Sequence, residues 1–312
     1  MRAAMDARVI DNSDALAALA PEWLDLWRRS PNATPFQSPM WLLPWWRHFG
    51  SNELNVITVR ENNRLVGFAP LYVLRDEDES LGLFLGTGIS DYLDVLGDAP
   101  FDLTNIDCQM WDFQQLRPSS AVLRLSLAEG WSDNVEDQEP CLVLPLSDLK
   151  LSTHFQKKLR YYKRSLGCTF EDANAENLDT LLDALFTLHA ARWQRRGMMG
   201  MLADDVVQQF HREAARAMLA KGALRMFAMR SAERIIAVFY GFAHQKTVYY
   251  YLSGYDPQLE KFSPGTVLVG QAIETAIGDG ATTFDFLRGA EAYKYAWGAK
   301  DRTNVRRQIF KV

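Results

Sequence analysis

The stretch that decides the fold is residues 249–302, which read YYYLSGYDPQLEKFSPGTVLVGQAIETAIGDGATTFDFLRGAEAYKYAWGAKDR. Its tyrosine-rich beginning predicts a β-strand, because aromatic residues favour strands. The apolar run that follows Pro264 predicts a helix, and FDFLR predicts a further strand. A strand, a helix and another strand in this order indicate an α/β domain.

The loop KFSPGT joins the first of these strands to the helix. Ser263 fits the N-cap, Pro264 fits the first turn, and Gly265 removes a side chain where backbone N–H groups point outward. The unpaired N–H groups and the positive end of the helix dipole favour a phosphate or pyrophosphate. We therefore predict a cofactor site formed by Ser263, Pro264, Gly265, Thr266 and, on the strand, Tyr251. The alternative is that Ser-Pro-Gly only begins a helix.

The elements before residue 249 extend the pattern. A strand (CTFEDA), two helices (176–197 and 204–222) and a hairpin (ALRMFAMR and RIIAVFYGFAH) precede TVYYYLSG. A similar hairpin lies in the first half of the chain. Arg60 and Arg64 flank its turn, and Arg230 and Arg234, each 170 positions later, flank the second turn. This indicates an internal duplication, with chance similarity of two short hairpins as the alternative.

The sequence of the first half predicts a helical segment that Pro21 breaks or kinks, a helix in MWLLPWWRHF and a helix near residues 101–115. It also predicts strands in LGLFLGTG, YLDVLG and AVLRLSL. Residues 129–139 contain five carboxylates and no basic residue, which is typical of a solvated connection. We place the boundary near residue 150, so that residues 1–150 and 151–312 form the two halves.

The composition argues against several classes of function. A net charge of -5 and a pI near 5.6 disfavour binding to long DNA, because phosphate neutralisation needs a basic face. The three cysteines and five histidines show no metal-ligand spacing, so we expect no metal. No apolar run approaches the ~20 residues that cross a bilayer, and acidic residues stand where a signal peptide would be apolar, so we expect a cytoplasmic protein.

Five segments carry a resemblance to a known family: YYYLSGYDP, KFSPGTVL, FDFLRGAEAYKYAWGA, PFQSPMWLLPWWRHFG and GTGISDYLDVL. They resemble signature segments of the GNAT-like acyltransferases of the cellulose-biosynthesis-associated type. The tandem halves are also similar to the Fem peptidyltransferases, which use aminoacyl-tRNA. The resemblance implies an α/β (α+β) fold of two tandem GNAT-like halves, each a mixed, mostly antiparallel sheet flanked by helices. It also implies an acyl-CoA, expected to be acetyl-CoA, as co-substrate.

Two departures from the family pattern bear on the site. The usual pyrophosphate loop of GNAT proteins, Q/R-x-x-G-x-G/A, is absent, and KFSPGT stands in its place. Relatives commonly read R-G-D-E-P-Y-K, whereas Ala290 and Ala292 occupy the Asp and Pro positions here.

Transfer of an acyl group to an amine needs a base, a donor that stabilises the oxyanion and an acid for the leaving thiolate. The catalytic candidates, which follow or end the last predicted core strand, are Asp285, Arg288, Glu291 and Tyr293. We predict Glu291 as the base, since neighbouring aromatic residues would desolvate its carboxylate and raise its pKa. Tyr293 is predicted to protonate the thiolate or hold the carbonyl, whereas Asp285 and Arg288 brace the loop as a pair. The alternative for Glu291 is a solvent-facing position on a short helix.

The acceptor is predicted to meet the loop GTGISDYLD in a cleft between the two halves. Asp91, Tyr92 and Asp94 of this loop, with Lys294 of the second half, are the predicted substrate-binding residues. The alternative is an ordinary turn with solvated carboxylates.

The segment HFQKKLRYYKRSLG carries five positive charges between Lys157 and Arg164. Such a helix fits the 3′-phosphate of CoA, an anionic membrane surface or the acceptor stem of a tRNA. The alternative is a solvated helix face.

Three functions remain open at this point. The first is transfer of an acyl group from acyl-CoA to an amine or hydroxyl of a small-molecule or glycan-linked acceptor. The second is a Fem-like transfer that depends on aminoacyl-tRNA. The third is a non-catalytic binding protein in an envelope-polysaccharide pathway.

Overall fold

The computed structural model describes residues 5–312, except residues 51, 78, 148, 150 and 196. The strands are, in chain order, β1 Met5–Ile10, β2 Glu53–Leu54, β3 Val56–Glu61, β4 Arg64–Ala69, β5 Leu71–Arg75, β6 Ser80–Phe84, β7 Met110–Leu116, β8 Trp131–Pro145, β9 Cys168–Asp172, β10 Leu224–Ser231, β11 Arg234–His244, β12 Thr247–Tyr255, β13 Thr283–Arg288 and β14 Lys300–Lys311. The α-helices are α1 Ser13–Ala18, α2 Ala20–Arg29, α3 Pro39–Phe49, α4 Thr153–Leu166, α5 Leu178–Gln194, α6 Asp205–Ala220, α7 Pro264–Gly278 and α8 Ala292–Ala296.

The chain divides into two compact units. The first comprises Met1–Cys141 together with Arg302–Val312, and the second comprises Leu142–Asp301. The predicted division near residue 150 assigned residues 302–312 to the second half. In the structure they belong to the first unit, because β14 pairs antiparallel with β7, for example Ile309 with Trp111. The first unit is therefore built from two separate stretches of the chain.

Four local predictions for the first unit are wrong. The segment YLDVLG, residues 92–97, was predicted as a strand but is irregular, with a single bridge from Leu96 to Phe68. The predicted helix at residues 101–115 is an irregular segment followed by β7, and the predicted strand AVLRLSL begins as a 3-10 helix, Ala121–Arg124. Residues 131–139 of the acidic stretch form the first part of β8, a strand with an exposed middle, instead of a connection between the halves. Two of the five carboxylates pair with arginines of β14: Arg307 Nε lies 2.7 Å from Asp133, and Arg306 Nη1 lies 2.9 Å from Glu136. Cross-strand ion pairs of this kind stabilise a strand that carries several charges.

Strands β13, β12, β11, β10 and β9 lie side by side in this order in the second unit. All neighbours pair antiparallel except β12 and β13, which are parallel and joined through α7. Helix α7 packs on one face of this sheet, where Val267 and Leu268 share a core cluster with Phe239 and Tyr250. A Cβ on Gly254 would lie 2.8 Å from Leu188 Cβ, so α5 closely approaches β12.

The two hairpins that flank the matched arginines have the same register. In the first unit Val59 pairs with Gly67 and Arg60 with Leu65, and in the second Met229 pairs with Ala237 and Arg230 with Ile235. Both hairpins therefore carry a register shift at the arginine. The arginine Nη1 donates to a turn carbonyl in both cases, that of Asn63 at 2.9 Å and that of Glu233 at 3.1 Å. These equivalent positions are again 170 residues apart, as expected for a duplicated unit.

Candidate active site

A bulge in β12 brings two hydroxyl groups together. Tyr240 of β11 pairs with Leu252 and the next residue, Gly241, pairs with Tyr250, so that Tyr251 is an extra residue in β12. Side chains alternate between the faces of a strand, so residues three apart would normally point to opposite faces. The bulge returns Ser253 to the face of Tyr250, and the Tyr250 hydroxyl lies 2.5 Å from Ser253 Oγ.

The parallel strands β12 and β13 pair only over their first residues, from Thr247 with Thr283 to Tyr249 with Asp285. No further pairs join these two strands within the described part of the chain. The carboxyl ends of parallel strands are a common place for ligand sites in α/β folds. The bulge of β12, the end of β13 and the start of α7 all lie at this end of the sheet.

The N-terminus of α7 offers unpaired backbone donors. Ser263 holds the N-cap position with φ of 47°, and its side chain makes no capping bond. Its carbonyl accepts instead from Thr266 N at 3.0 Å and from Val267 N at 3.3 Å. Pro264 has no N–H, and the N–H of Gly265 has no partner among the described residues. This end of the helix therefore matches the predicted anion site in its chemistry.

A cavity of about 260 Å³ joins these features. It is lined by Arg192, Tyr250, Ser253, Tyr255, Glu260, Ser263, Pro264, Gly265, Thr266, Val269 and Tyr293. The structure thus brings the predicted cofactor residues 263–266 to the same cavity as the predicted catalytic residue Tyr293. It does not bring Tyr251 there. That side chain packs instead against His211, Tyr240 and Phe242, with ring centroids 5.6–5.8 Å apart.

Burial and nearby charges shift the pKa of two tyrosines of the cavity, Tyr250 and Tyr293. Burial is the main reason that the pKa of Tyr293 is raised far above its usual value, with further contributions from Tyr250 and the Glu291 carboxylate. Burial also raises the pKa of Tyr250, and Arg192 opposes the rise at both residues. Both hydroxyls therefore stay protonated at neutral pH and can donate hydrogen bonds.

Glu291 differs from its predicted environment. It occupies the N-cap of α8, but 56% of its side chain is exposed and its carboxylate lies 2.9 Å from Lys294 Nζ. The expected desolvation by aromatic neighbours is therefore absent. Its carboxylate still belongs to the group around the cavity, since it raises the pKa of Tyr293 and Tyr250.

Lys294 is buried and fully hydrogen-bonded, which contradicts its predicted role in substrate binding. Only 3% of its side chain is exposed. The ammonium donates to the carbonyls of Leu287, Arg288 and Gly289 at 3.3, 2.5 and 3.0 Å and also contacts Glu291. An ammonium has three protons, so these acceptors leave none for a substrate. Lys294 holds the turn between β13 and α8.

Asp285 stabilises the backbone of the same turn. It is 1% exposed, and its Oδ1 accepts from Leu287 N at 2.9 Å. Leu287 has φ of 59°, a left-handed conformation that a branched residue rarely adopts without support. Asp285, although grouped with the catalytic candidates, therefore has the structural role of bracing the loop that was predicted for it. Arg288 contributes its backbone carbonyl to Lys294, and a catalytic role for its side chain stays a prediction.

Arg192, Tyr250, Ser253, Tyr255 and Glu260 line the cavity but were not predicted as site residues. Arg192 lies in the last turn of α5, with its guanidinium carbon 5.0 Å from the centre of the Tyr255 ring. Nothing in the sequence near Arg192 marks it, because its neighbours in the cavity come from β12 and α7. The Tyr-rich strand indicated that one of its faces lines a cleft. The bulge at Tyr251, which the sequence does not reveal, determines that Tyr250 is on that face.

The predicted acceptor residues of the first unit are buried. Asp91, Tyr92 and Asp94 are 8%, 1% and 7% exposed. Two guanidinium groups lie near the Tyr92 ring: the guanidinium carbon of Arg117 is 5.5 Å from the ring centre and that of Arg302 is 5.1 Å from it. These contacts hold the loop in its fold and differ from the open carboxylates that were predicted for acceptor binding.

Asp94 has an unusual titration. Burial raises its pKa to about 6, against the opposing hydrogen bond from Ser120, whose hydroxyl donates to Oδ1 at 2.7 Å. The backbone N–H of Val95 donates to the same oxygen at 2.8 Å. This carboxyl is therefore protonated in mildly acidic solution.

The basic segment forms helix α4. Lys163 pairs with Glu274 at 3.7 Å and with Gln271 at 3.0 Å. Lys157, Lys158, Arg160 and Arg164 are exposed, and within the described residues none of them forms an ion pair. The helix thus presents four unneutralised cations to solvent.

The described residues contain no group of three or more His, Cys, Asp or Glu residues placed to hold a metal ion. No helix among them is long and apolar enough to span a bilayer.

Part of the chain matches a known family model. Residues 150–295 match a family model described as an acetyltransferase (GNAT) domain, and this range contains the whole cavity. No curated protein matches the chain.

Three solved structures resemble the chain over most of its length. FemX is 12% identical with a TM-score of 0.67, covering 98% of this chain and 97% of FemX. The C-terminal domain of a putative lysylphosphatidylglycerol synthetase from Agrobacterium fabrum is 11% identical with a TM-score of 0.58, covering 94% and 91%. A tandem GNAT protein from the clavulanic acid biosynthesis pathway is 11% identical with a TM-score of 0.50, covering 98% of both chains. The predicted fold class is confirmed: the chain is a mixed α/β protein whose structural neighbours are tandem GNAT-fold proteins.

Proposed function

We propose that this protein transfers an acyl group from acyl-CoA to an amine or hydroxyl of a small or carbohydrate-linked acceptor. The observation that supports this most directly is the single cavity shared by the α7 N-terminus and the Tyr250, Ser253 and Tyr293 hydroxyls. The match of residues 150–295 to a GNAT domain supports the same reaction type.

The donor would bind with its anionic part at the start of α7. Gly265 offers an unpaired N–H there, and Arg192 adds a positive charge on the same cavity. The volume of about 260 Å³ is below the ~300 Å³ at which complete small-molecule sites begin. We therefore place only part of the donor in this cavity, with the remainder outside it.

The hydroxyls of Tyr250, Ser253 and Tyr293 would act at the thioester end of the donor. The acceptor nitrogen or oxygen attacks the thioester carbon, the C–S bond breaks, and the thiolate takes up a proton while the acceptor loses one. Tyr293, protonated at neutral pH, is the proposed proton donor, and Tyr250 with Ser253 is the proposed hydrogen-bonding pair for the oxyanion. Glu291, which is exposed and close to both tyrosines, is the proposed acceptor of the proton from the incoming amine.

Isothermal titration with CoA and with acetyl-CoA tests the donor. We expect saturable binding of both, because the anion site and the cavity are already formed in the free protein. Absence of binding of either compound at millimolar concentration would reject acyl-CoA as the donor.

A second candidate function is a Fem-like transfer from aminoacyl-tRNA. The observation that favours it is the row of four unneutralised cations on α4, and FemX shares the fold. A gel shift with bulk charged tRNA tests it, using a variant in which Lys157, Lys158, Arg160 and Arg164 are changed to Gln. The matched control changes Arg212 and Arg216 of α6, which are paired with Asp183 and Asp179. A shift that only the α4 variant loses supports this candidate, and no shift at low salt rejects it.

A further inference from the structure

Strand β1 forms one edge of a three-stranded sheet in the first unit, whose order is β1-β3-β4. It pairs antiparallel with β3 on one side, and on its other side no strand of the described chain pairs with it. Residues 5–9 are all exposed, so the strand presents both of its faces and one backbone edge to solvent. An edge of this kind is a template for pairing with a strand of another molecule. Strand β1 is therefore a candidate interaction surface.

The backbone groups at the open edge are those of Met5, Ala7 and Val9. In an antiparallel pair, alternate residues direct their N–H and C=O groups to the same neighbouring strand. The carbonyl of Arg8 accepts a hydrogen bond from Thr58 Oγ1 of β3 at 3.1 Å, so Arg8 directs its backbone groups toward β3. The three residues that alternate with Arg8 and Asp6 therefore direct theirs to the open edge.

The sequence of β1 complements itself in the antiparallel direction. It begins MDARV, with one acidic and one basic residue at equal distances from Ala7. Pairing of two copies about Ala7 places Asp6 of each copy opposite Arg8 of the other copy. On the other face it places Met5 of each copy opposite Val9 of the other copy. Opposite charges and apolar side chains that face each other across strands both stabilise a sheet.

The charged side chains of β1 are accessible to a second copy. The side chain of Asp6 is 52% exposed and that of Arg8 is 73% exposed. Their pairing with each other at 2.8 Å is an exposed contact, which contributes little to stability because water screens it. Asp6 lies opposite Arg60 of β3 within its own sheet. In the symmetric pairing Asp6 would have an arginine on each side, so that charges alternate in sign across the joined sheets.

The same charges disfavour other arrangements. In a parallel, in-register pair, Asp6 would face Asp6 and Arg8 would face Arg8 of the other copy. Edges that proteins protect from association often carry lysines, which repel each other across such a pair, whereas β1 carries one charge of each sign. The other side of each β1 is already paired with β3. The association therefore stops at two copies.

We propose that β1 pairs antiparallel with β1 of a second copy of this chain, about a two-fold axis at Ala7, and so joins two three-stranded sheets into one. Two short strands bury less surface than the ~1,200 Å² at which specific, stable interfaces begin. We therefore expect a weak dimer with a Kd of about 100 µM. The assignment is independent of the proposed acyl transfer, since β1 contributes no residue to the candidate active site.

Sedimentation equilibrium of the full chain, at concentrations from about 5 µM to about 500 µM, tests the proposal. We expect monomers at the lower end, dimers at the upper end and no larger species. Asp6→Arg and Arg8→Asp should each weaken the dimer about tenfold or more, because like charges then lie opposite each other. An equimolar mixture of the two variants should recover the dimer, since every cross-strand pair again joins opposite charges.

Glu53→Arg is the matched control for the charge reversals. Glu53 lies in β2, its side chain is 53% exposed, and it pairs with Arg75 at 2.7 Å, so its setting is close to that of Asp6. This variant should dimerise like wild type. If it weakens the dimer as much as Asp6→Arg does, net charge and not the pairing of β1 controls association.

Ala7→Pro tests the backbone separately. The N–H of Ala7 points away from β3, so proline removes a donor from the open edge and leaves the ladder to β3, as prolines in edge strands do. We expect association to be lost while circular dichroism stays that of wild type. If this variant does not fold, the mixture of charge variants still decides. A wild-type protein that stays monomeric at about 500 µM, species larger than a dimer, or a mixture that does not associate would overturn the proposal.

Discussion

A Cβ built on Gly265 would lie 3.4 Å from Cε1 of Tyr255, an ordinary van der Waals contact. The fold thus has room for a side chain at the start of α7. A ligand that approaches the backbone closely therefore explains this glycine better than crowding within the fold does.

Gly265→Ala should therefore weaken binding of the donor and leave the fold intact. We expect the affinity for CoA to fall by about tenfold, since the methyl group would separate the anion from the helix N-terminus. The free energy of unfolding should stay the same or rise by up to ~1 kcal/mol, because alanine is the better helix former. Calorimetric titration and urea unfolding measure the two effects.

Gly278→Ala is the matched control at the other end of α7. A Cβ there meets nothing within 4 Å, so it should change stability in the same direction and leave CoA affinity as it is. If wild type and Gly265→Ala bind CoA with equal affinity, the N-terminus of α7 is not part of the donor site.

Tyr293→Phe and Glu291→Gln should each lower turnover and leave donor binding nearly unchanged. Loss of a proton donor or acceptor in the transition state typically lowers the rate by about 10²-fold or more. Steady-state rates with acetyl-CoA, together with the Kd of CoA, separate the two effects. Tyr295→Phe is the control, since that hydroxyl lies on the same helix but is bonded to Asp301 at 2.7 Å. If both site variants turn over at the wild-type rate, these residues are not catalytic.

Lys294→Met should destabilise the protein. Three backbone carbonyls would lose their buried donor, and we expect the free energy of unfolding to drop by about 2–4 kcal/mol. Urea unfolding measures the loss, with the exposed Lys246→Met as control. Should the variant instead unfold like wild type and show only a raised KM for the acceptor, Lys294 would be a substrate ligand after all.

Asp94 should make stability depend on pH. Its pKa is about 6 in the folded protein and ~3.9 in an unfolded chain, so the folded state holds the proton more tightly. The carboxyl therefore imposes no penalty below pH ~4, and stability falls as pH rises from ~4 to ~6, by up to about 3 kcal/mol.

Asp94→Asn should lack this dependence, because an amide oxygen can accept from Ser120 and Val95 but does not titrate. Urea unfolding of both proteins at pH 4 and pH 7 gives the difference, in which other groups cancel. A constant difference between the two pH values would contradict the raised pKa. Asp107→Asn, an exposed carboxylate, controls for the loss of a charge.

Local signals in the sequence predicted part of this structure. The helix start at Ser-Pro-Gly and the hairpins at Arg60 and Arg230 depend on neighbouring residues, and both are present. The strand that contains Asp133 was missed because its charge is neutralised by Arg307, far along the chain. Local composition cannot report such a partner.

The site itself was only partly predictable for the same reason. Residues 263–266 follow from the helix start, whereas the place of Ser253 depends on the bulge at Tyr251, and no local pattern marks that bulge. Lys294 shows the converse problem. A lysine in a short polar segment favours an exposed ligand group, but the chain folds three carbonyls around it.

The return of β14 to the first unit has a consequence for biosynthesis. Residues 302–312 are synthesised after all of residues 142–301, so the first unit lacks a strand until synthesis reaches β14, although it begins the chain. Until then the backbone edge of β7 that pairs with β14 is open. We expect the first unit to complete its sheet no earlier than the second, with its open edge prone to pair with other chains in the meantime.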